Sequence, residues 1–199
     1  VSLDVAIIDS GGANLASLQF ALERLGAQAV VTSDLALISA APRVLLPGVG
    51  SALAAMQRLN ASGVAEHLPQ LQQPVLGICL GMQLLFLKSE EGPAQCLGVL
   101  PQTVRKLDPQ PGRPVPHMGW NRLHVVHEDP LLEGVAESEY VYFVHSYAAP
   151  VSQTTLATCD YGLPLAAVVR KGNFWGTQFH PERSTKVGAR ILANFLRLT

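Results

Sequence analysis

Five consecutive residues, Gly77-Ile78-Cys79-Leu80-Gly81, constrain this chain more than any others. They follow the apolar run Pro74-Val75-Leu76 and precede Met82-Gln83-Leu84-Leu85-Phe86-Leu87. The pattern predicts a buried strand over 75–78, a one-residue corner at Cys79 and a helix over 80–88. Glycines flank the corner because backbone segments must pass closely there, with no side chain between them.

The N-terminal half supplies the rest of a sheet. Apolar runs predict strands over 3–9, 28–32 and 43–46. Asn14 is placed to cap a helix with Leu15, Leu18, Ala21, Leu22 and Leu25 on one face, ended by Gly26. Further helices are expected from Ser33-Asp34 and over 52–59. Strand and helix in alternation imply a parallel sheet wound with helices. After about residue 95 the pattern changes to strands over 98–104, 123–127 and 140–147, with proline-rich loops between them. Strands over 165–170 and 173–179 flank a hairpin at Lys171-Gly172, and a helix covers 185–198. The reading is an α/β three-layer sandwich with a central mostly parallel sheet and helices on both faces. It adds extra antiparallel strands in the C-terminal half and forms one domain over 1–199.

Bulk properties narrow the function classes. With 48% hydrophobic and 15% charged residues the chain can bury a core, and its net charge of −1 gives no reason to expect a nucleic-acid partner. No apolar stretch reaches the roughly 20 residues that span a bilayer, and no signal peptide is visible. Cys79, Cys96 and Cys159 match neither a zinc site nor a disulfide framework. A reducing cytoplasm is therefore expected, with no metal or cofactor.

The chemistry concentrates at Cys79. A thiol at a strand-to-helix corner lies where the helix N-terminus favours thiolate, the layout that presents a nucleophile in elbow hydrolases. Gln178-Phe179-His180-Pro181-Glu182 supplies the complement. Proline biases His180 toward extended backbone, so His180 and Glu182 project to the same side. A carboxylate-held histidine is the proton partner that a cysteine nucleophile needs. An oxyanion would be met by the N–H of Leu80 and by a second donor from Pro47-Gly48-Val49-Gly50. His145-Ser146-Tyr147, at the end of a buried strand, is either a ligand contact or a sheet end reaching solvent. His117-Met118-Gly119-Trp120-Asn121 is expected as a polar loop facing a partner or acting as a lid. His67, His124 and His127 carry no role, and Cys96 and Cys159 are expected to pack.

Gly77 to Gln83 together with Phe179-His180-Pro181-Glu182 resembles the signature of class I glutamine amidotransferases. The segments 9–17, Pro47 to Ser51, His117 to Asn121 and Phe143 to Tyr147 are similar to those of the glutaminase subunits of imidazole glycerol phosphate synthases. The resemblance implies glutamine hydrolysis by Cys79, His180 and Glu182, with Val49, Gly50 and Leu80 at the oxyanion hole. Gly50, Gln83, Ser146 and Tyr147 would bind glutamine. It implies a (β/α)₈-barrel cyclase partner in a heterodimer, docked on the face bearing Asn14, Trp120 and Arg183, that receives ammonia and serves histidine biosynthesis. The chain departs from the family at Ala13, where glycine is common, and at Arg183, where lysine is usual. The alternatives are the glutaminase subunit of another amidotransferase, a stand-alone cysteine hydrolase of γ-glutamyl substrates, and an inactive scaffold.

Overall fold

A computed structural model describes residues 3–11 and 15–199. The expected elements at Ala13 and Asn14 therefore lie outside the described residues. The N-terminal half contributes β1 (Val5–Ile8), β2 (Ala29–Thr32), β3 (Val44–Gly48) and β4 (Val75–Cys79) to the parallel part of the sheet. The helices among them are α1 (Leu15–Arg24), α2 (Leu35–Ala40), α3 (Ala52–Ala61) and α4 (Val64–His67). Asp34 starts α2 by accepting from the N–H of Ala36 at 2.8 Å, and Ser51 starts α3 by accepting from Ala54 at 3.3 Å.

Beyond Cys79 come α5 (Leu80–Leu84) and the strands β5 (Phe86–Ser89), β6 (Ala94–Gln95) and β7 (Leu100–Lys106). The chain continues through β8 (His117–Val125), β9 (Glu139–His145), β10 (Tyr147–Ala148) and β11 (Thr155–Asp160). It ends with β12 (Pro164–Lys171), β13 (Phe174–Thr177) and α6 (Thr185–Phe195).

Among the described residues the main sheet has nine strands in the order β2-β1-β3-β4-β13-β12-β11-β8-β9. β2, β1, β3, β4 and β13 run parallel, and every pairing from β13 through β12, β11 and β8 to β9 is antiparallel. A second sheet runs β10-β7-β5-β6. Alternation along the strands divides the core into two layers. Val5, Ile7, Leu45, Leu76 and Ile78 pack with α1 and α6, whereas Ala6, Ile8, Val44, Leu46 and Val75 pack with α2, α3 and α5. Helices thus cover both faces, as the sequence predicts.

Two expectations need correction. The helix expected over 80–88 stops at Leu84, and Phe86–Ser89 forms β5 instead, with Phe86 paired in parallel to Leu100. A run of Leu-Leu-Phe-Leu is apolar at both helical and strand spacing, so pairing with β7 decides. The polar loop expected around Trp120 is β8, paired with β9 from His117↔His145 to Leu123↔Glu139. Its side chains alternate, His117 and Leu123 buried and Met118 and Trp120 exposed. The hairpin near Lys171 is present, with Lys171 paired to Phe174 and the turn at Gly172-Asn173.

Candidate active site

Cys79 stands at the corner between β4 and α5 with φ 54° and ψ −111°. A cysteine held at positive φ costs on the order of 1–3 kcal/mol, which the surrounding packing must offset. The neighbouring backbone shows how the corner is fixed. A Cβ on Gly77 would lie 2.6 Å from the carbonyl oxygen of Gly81, and one on Gly81 would run into the carbonyl of Leu46. A Cβ on Gly48, the residue paired with Cys79 in the ladder, would lie 3.0 Å from the N–H nitrogen of Gly81. Three bare α-carbons thus let β3, β4 and α5 meet main chain to main chain.

β4 and β13 are neighbours in parallel register, Thr177 opposite Ile78. The chain leaving β13 therefore carries Gln178 and His180 alongside the corner. Nδ1 of His180 lies 2.8 Å from Oε1 of Glu182, with both side chains almost fully buried. The imidazole and the Cys79 thiol border one cleft. Burial works against the imidazolium, but the nearby Cys79 sulfur and the Glu182 carboxylate outweigh it and push His180 up to about 10. The backbone N–H of His180 donates to the carbonyl of Tyr142 on β9 at 3.0 Å.

Cys79 and His180 border a cleft of about 250 Å³ lined also by Val49, Gly50, Leu80, Gln83, Glu91, Ser146 and Tyr147. The structure thus brings together the residues singled out as nucleophile, proton partner, oxyanion donors and ligand contacts. Gly50 has φ +89°, open to glycine at no steric cost. The hydroxyl of Ser10 donates to the carbonyl of Pro47 at 2.6 Å, anchoring the start of that segment.

Three features escaped the sequence. Glu91 enters the cleft while its Oε2 accepts from the N–H of Ala52 at 2.9 Å, at the first turn of α3. Gln83 is buried, and its amide donates to the carbonyl of Tyr147 at 2.8 Å and to Oε1 of Gln178 at 2.9 Å. His117 and His145 form a buried pair at 2.9 Å. The Tyr147 carbonyl can only accept, so Nδ1 of His145, 2.8 Å away, carries the proton. Nε2 of His145 then accepts from Nδ1 of His117, and Nε2 of His117 accepts from the Asn121 amide at 3.3 Å. The other cysteines are unlike Cys79. Burial, with Glu91 nearby, pushes the Cys96 thiol up to about 11; burial, with Asp160 nearby, pushes Cys159 up to about 12.

Trp120 is half exposed and meets Tyr142 edge-on, ring centroids 5.8 Å apart, and the Arg183 guanidinium sits 4.7 Å from the centre of the Tyr142 ring. Two of the residues expected at a partner face therefore share one aromatic surface. Among the described residues no cluster of three or more His, Cys, Asp and Glu could hold a metal, and no helix is long and apolar enough to cross a membrane.

A cysteine on a strand-to-helix corner, sharing a cleft with a histidine held to a carboxylate in a mixed α/β sheet, suits thiol-dependent amide chemistry. The glutamine amidotransferase class-I family model matches residues 6–198, and the chain belongs to that family. Over 196 residues, 98% of each chain, it is 55% identical to the imidazole glycerol phosphate synthase subunit HisH of Xanthomonas axonopodis pv. citri. It is 54% identical, over 98% of each chain, to the HisH subunit of Xylella fastidiosa. Among solved structures it shares the fold of a glutamine amidotransferase with TM-score 0.75 and 21% identity, covering 96% of each chain. PurLQS from Thermotoga maritima aligns with TM-score 0.73 and 18% identity, covering 98% of each.

Proposed function

We propose that this chain is the glutaminase subunit of an imidazole glycerol phosphate synthase, hydrolysing glutamine and passing the ammonia to a (β/α)₈-barrel cyclase in histidine biosynthesis. The observation that carries the chemistry is Cys79 at its strained corner, sharing a cleft with an imidazole that Glu182 holds from behind. Identity of 55% along nearly the whole chain with a synthase subunit supports the pathway.

The Cys79 thiolate attacks the carboxamide carbon of glutamine, forming the S–C bond. The carbonyl oxygen becomes an oxyanion that meets the N–H of Leu80 and an N–H from Val49 or Gly50. The His180 imidazolium gives its proton to the amide nitrogen, the C–N bond breaks and ammonia leaves. Neutral His180 then takes a proton from water as that water attacks the thioester. Glutamate departs and the thiolate–imidazolium pair returns. The elevated affinity of His180 for its proton supports an imidazolium ready to donate to the leaving nitrogen. Ser146, Tyr147 and Gln83 border the space for the glutamine head group, and the Glu91 carboxylate in the same cleft suits its α-ammonium.

For the partner we propose the surface of Trp120, Tyr142 and Arg183. The backbone of His180 bonds to Tyr142 of that surface, which supports release of ammonia on the docked side. The setting is cytoplasmic. Reconstitution with the barrel cyclase tests the reading. Glutamine-dependent synthesis of imidazole glycerol phosphate is expected, with glutaminase turnover rising when cyclase and its nucleotide are added. Equal turnover by the chain alone and in the complex would reject the coupling and favour a stand-alone hydrolase.

A further inference from the structure

Gln178 precedes the histidine motif by two residues and plays no part in the steps above. It is completely buried, and its Nε2 lies 3.8 Å from Sγ of Cys79, within hydrogen-bond reach of a sulfur acceptor. Which end of a buried amide faces the sulfur is decided by its other partner. Gln83 is itself fixed, because the Tyr147 carbonyl, 2.8 Å away, accepts only from its Nε2. That nitrogen has a second hydrogen, and Oε1 of Gln178 receives it at 2.9 Å. With its oxygen so engaged, Gln178 must present its NH₂ to the thiol. The Tyr147 carbonyl is held from its other side by the Nδ1 proton of His145. Each donor in this chain determines the orientation of the next, and the chain ends on the sulfur.

We infer that Gln178 is a positioning residue for the nucleophile: its amide donates to the Cys79 sulfur, holds it toward His180 and stabilises the thiolate, with Gln83 locking the amide in that orientation. This deepens the glutaminase reading and rests on it for its catalytic meaning. The physical basis is general. A thiolate in a buried setting is favoured by each hydrogen bond it accepts, and a neutral amide supplies one without competing with His180 for the proton. Sγ also lies 3.7 Å from the carbonyl of Val144, a group that a thiol can donate to but a thiolate cannot. Loss of the Gln178 amide would leave that carbonyl favouring the protonated thiol.

The test is the rate of alkylation of Cys79 by iodoacetamide across pH 6 to 10, read by mass spectrometry of the Cys79 peptide on the full chain. Charged and titratable groups around the sulfur are His180 with Glu182 behind it, and Glu91 and His145 across the cleft. All are kept in every variant. Gln178→Leu is expected to move the rate profile to higher pH, slowing alkylation at pH 7 about tenfold, since one unit of displacement is a factor of ten in thiolate. Gln178→Glu, of the same shape, is expected to slow it further, because a carboxylate beside the sulfur repels the thiolate. Gln83→Leu frees the Gln178 amide and is expected to give a smaller displacement in the same direction. A profile unchanged in Gln178→Leu or faster in Gln178→Glu would overturn the proposal. Should Gln178→Leu fail to fold by its thermal melt, the isosteric Gln178→Glu comparison alone decides. Glutaminase assays of the same proteins with the cyclase separate the two readings. Displaced alkylation in a chain without glutaminase activity would leave the thiolate contact standing and the function wrong.

Discussion

The backbone N–H of His180 donates to the carbonyl oxygen of Tyr142 at 3.0 Å, tying the residue that carries the imidazole to an edge strand. The ring of that same tyrosine lies between Trp120 and Arg183 on the outer surface. If a partner docks on this face as proposed, it would act one hydrogen bond away from the His180 backbone.

Trp120→Ala should weaken binding to the barrel cyclase by tenfold or more, since a half-exposed tryptophan over a second aromatic ring is the kind of anchor whose truncation costs about 2 kcal/mol. Arg183→Ala should do the same through loss of charge and of its stacking on Tyr142. Titration calorimetry of each variant against the cyclase measures this. Wild-type affinity in both would mean that docking occurs elsewhere.

Glu182→Gln should reduce glutaminase turnover by roughly 10²–10⁴, the usual worth of a positioned acid–base group. It should also change how stability depends on pH. His180 binds its proton more tightly when folded, up to about 10 against an ordinary 6.5. The folded chain holds the extra proton in between, so the contribution is complete below about 6.5 and is lost as pH rises through about 10. Urea unfolding at pH 6.5 and 9.5 should show a larger loss in the native chain than in Glu182→Gln. Parallel losses would place the proton elsewhere.

An opposite dependence should come from the buried pair on β8 and β9. Burial holds His117 down to about 4. Burial, with the charges of His117 and His180 adding to it against the pull of the Tyr147 carbonyl, holds His145 down to about 3. Below about 6.5 the unfolded chain takes up protons there that the folded chain refuses, so stability should fall as pH drops from about 6.5 toward 4. His145→Gln should flatten that decline, whatever it does to stability at neutral pH. Unfolding midpoints at pH 7.5 and 5 give the comparison, and an unchanged slope would count against the two imidazoles.

Gly81→Ala should be far more damaging than an ordinary surface substitution. The added methyl has the Leu46 carbonyl in its way, and backbone cannot step aside as a side chain can. Overpacking of about 1–3 kcal/mol or more is expected, together with loss of Cys79 alkylation by a glutamine analogue. Denaturant midpoints with and without the substitution check the first effect. A fully stable, fully reactive variant would show that the corner tolerates slack.

Much of this site was legible because its signals are local. Gly77, Cys79 and Gly81 announce a corner by themselves, and His180-Pro181-Glu182 sets two side chains on one side of an extended backbone. The amide chain was not legible. Gln83 and Gln178 are 95 residues apart, and nothing in either neighbourhood distinguishes a buried amide from a surface one. Glu91 was missed for the same reason, since only folding places it at the start of α3 beside the cleft. On β8 the alternation was present, but Gly119 and the polar residues around Trp120 resembled a loop until β9 paired with it. The early end of α5 depended on β7, a strand encoded some fifteen residues later.

Gly48, Gly77 and Gly81 leave the reactive sulfur's location to main chain resting on main chain. Side chains elsewhere in the two apolar layers can then be exchanged over long divergence without displacing it. A working atom registered by peptide groups depends little on which apolar residues fill the layers around it.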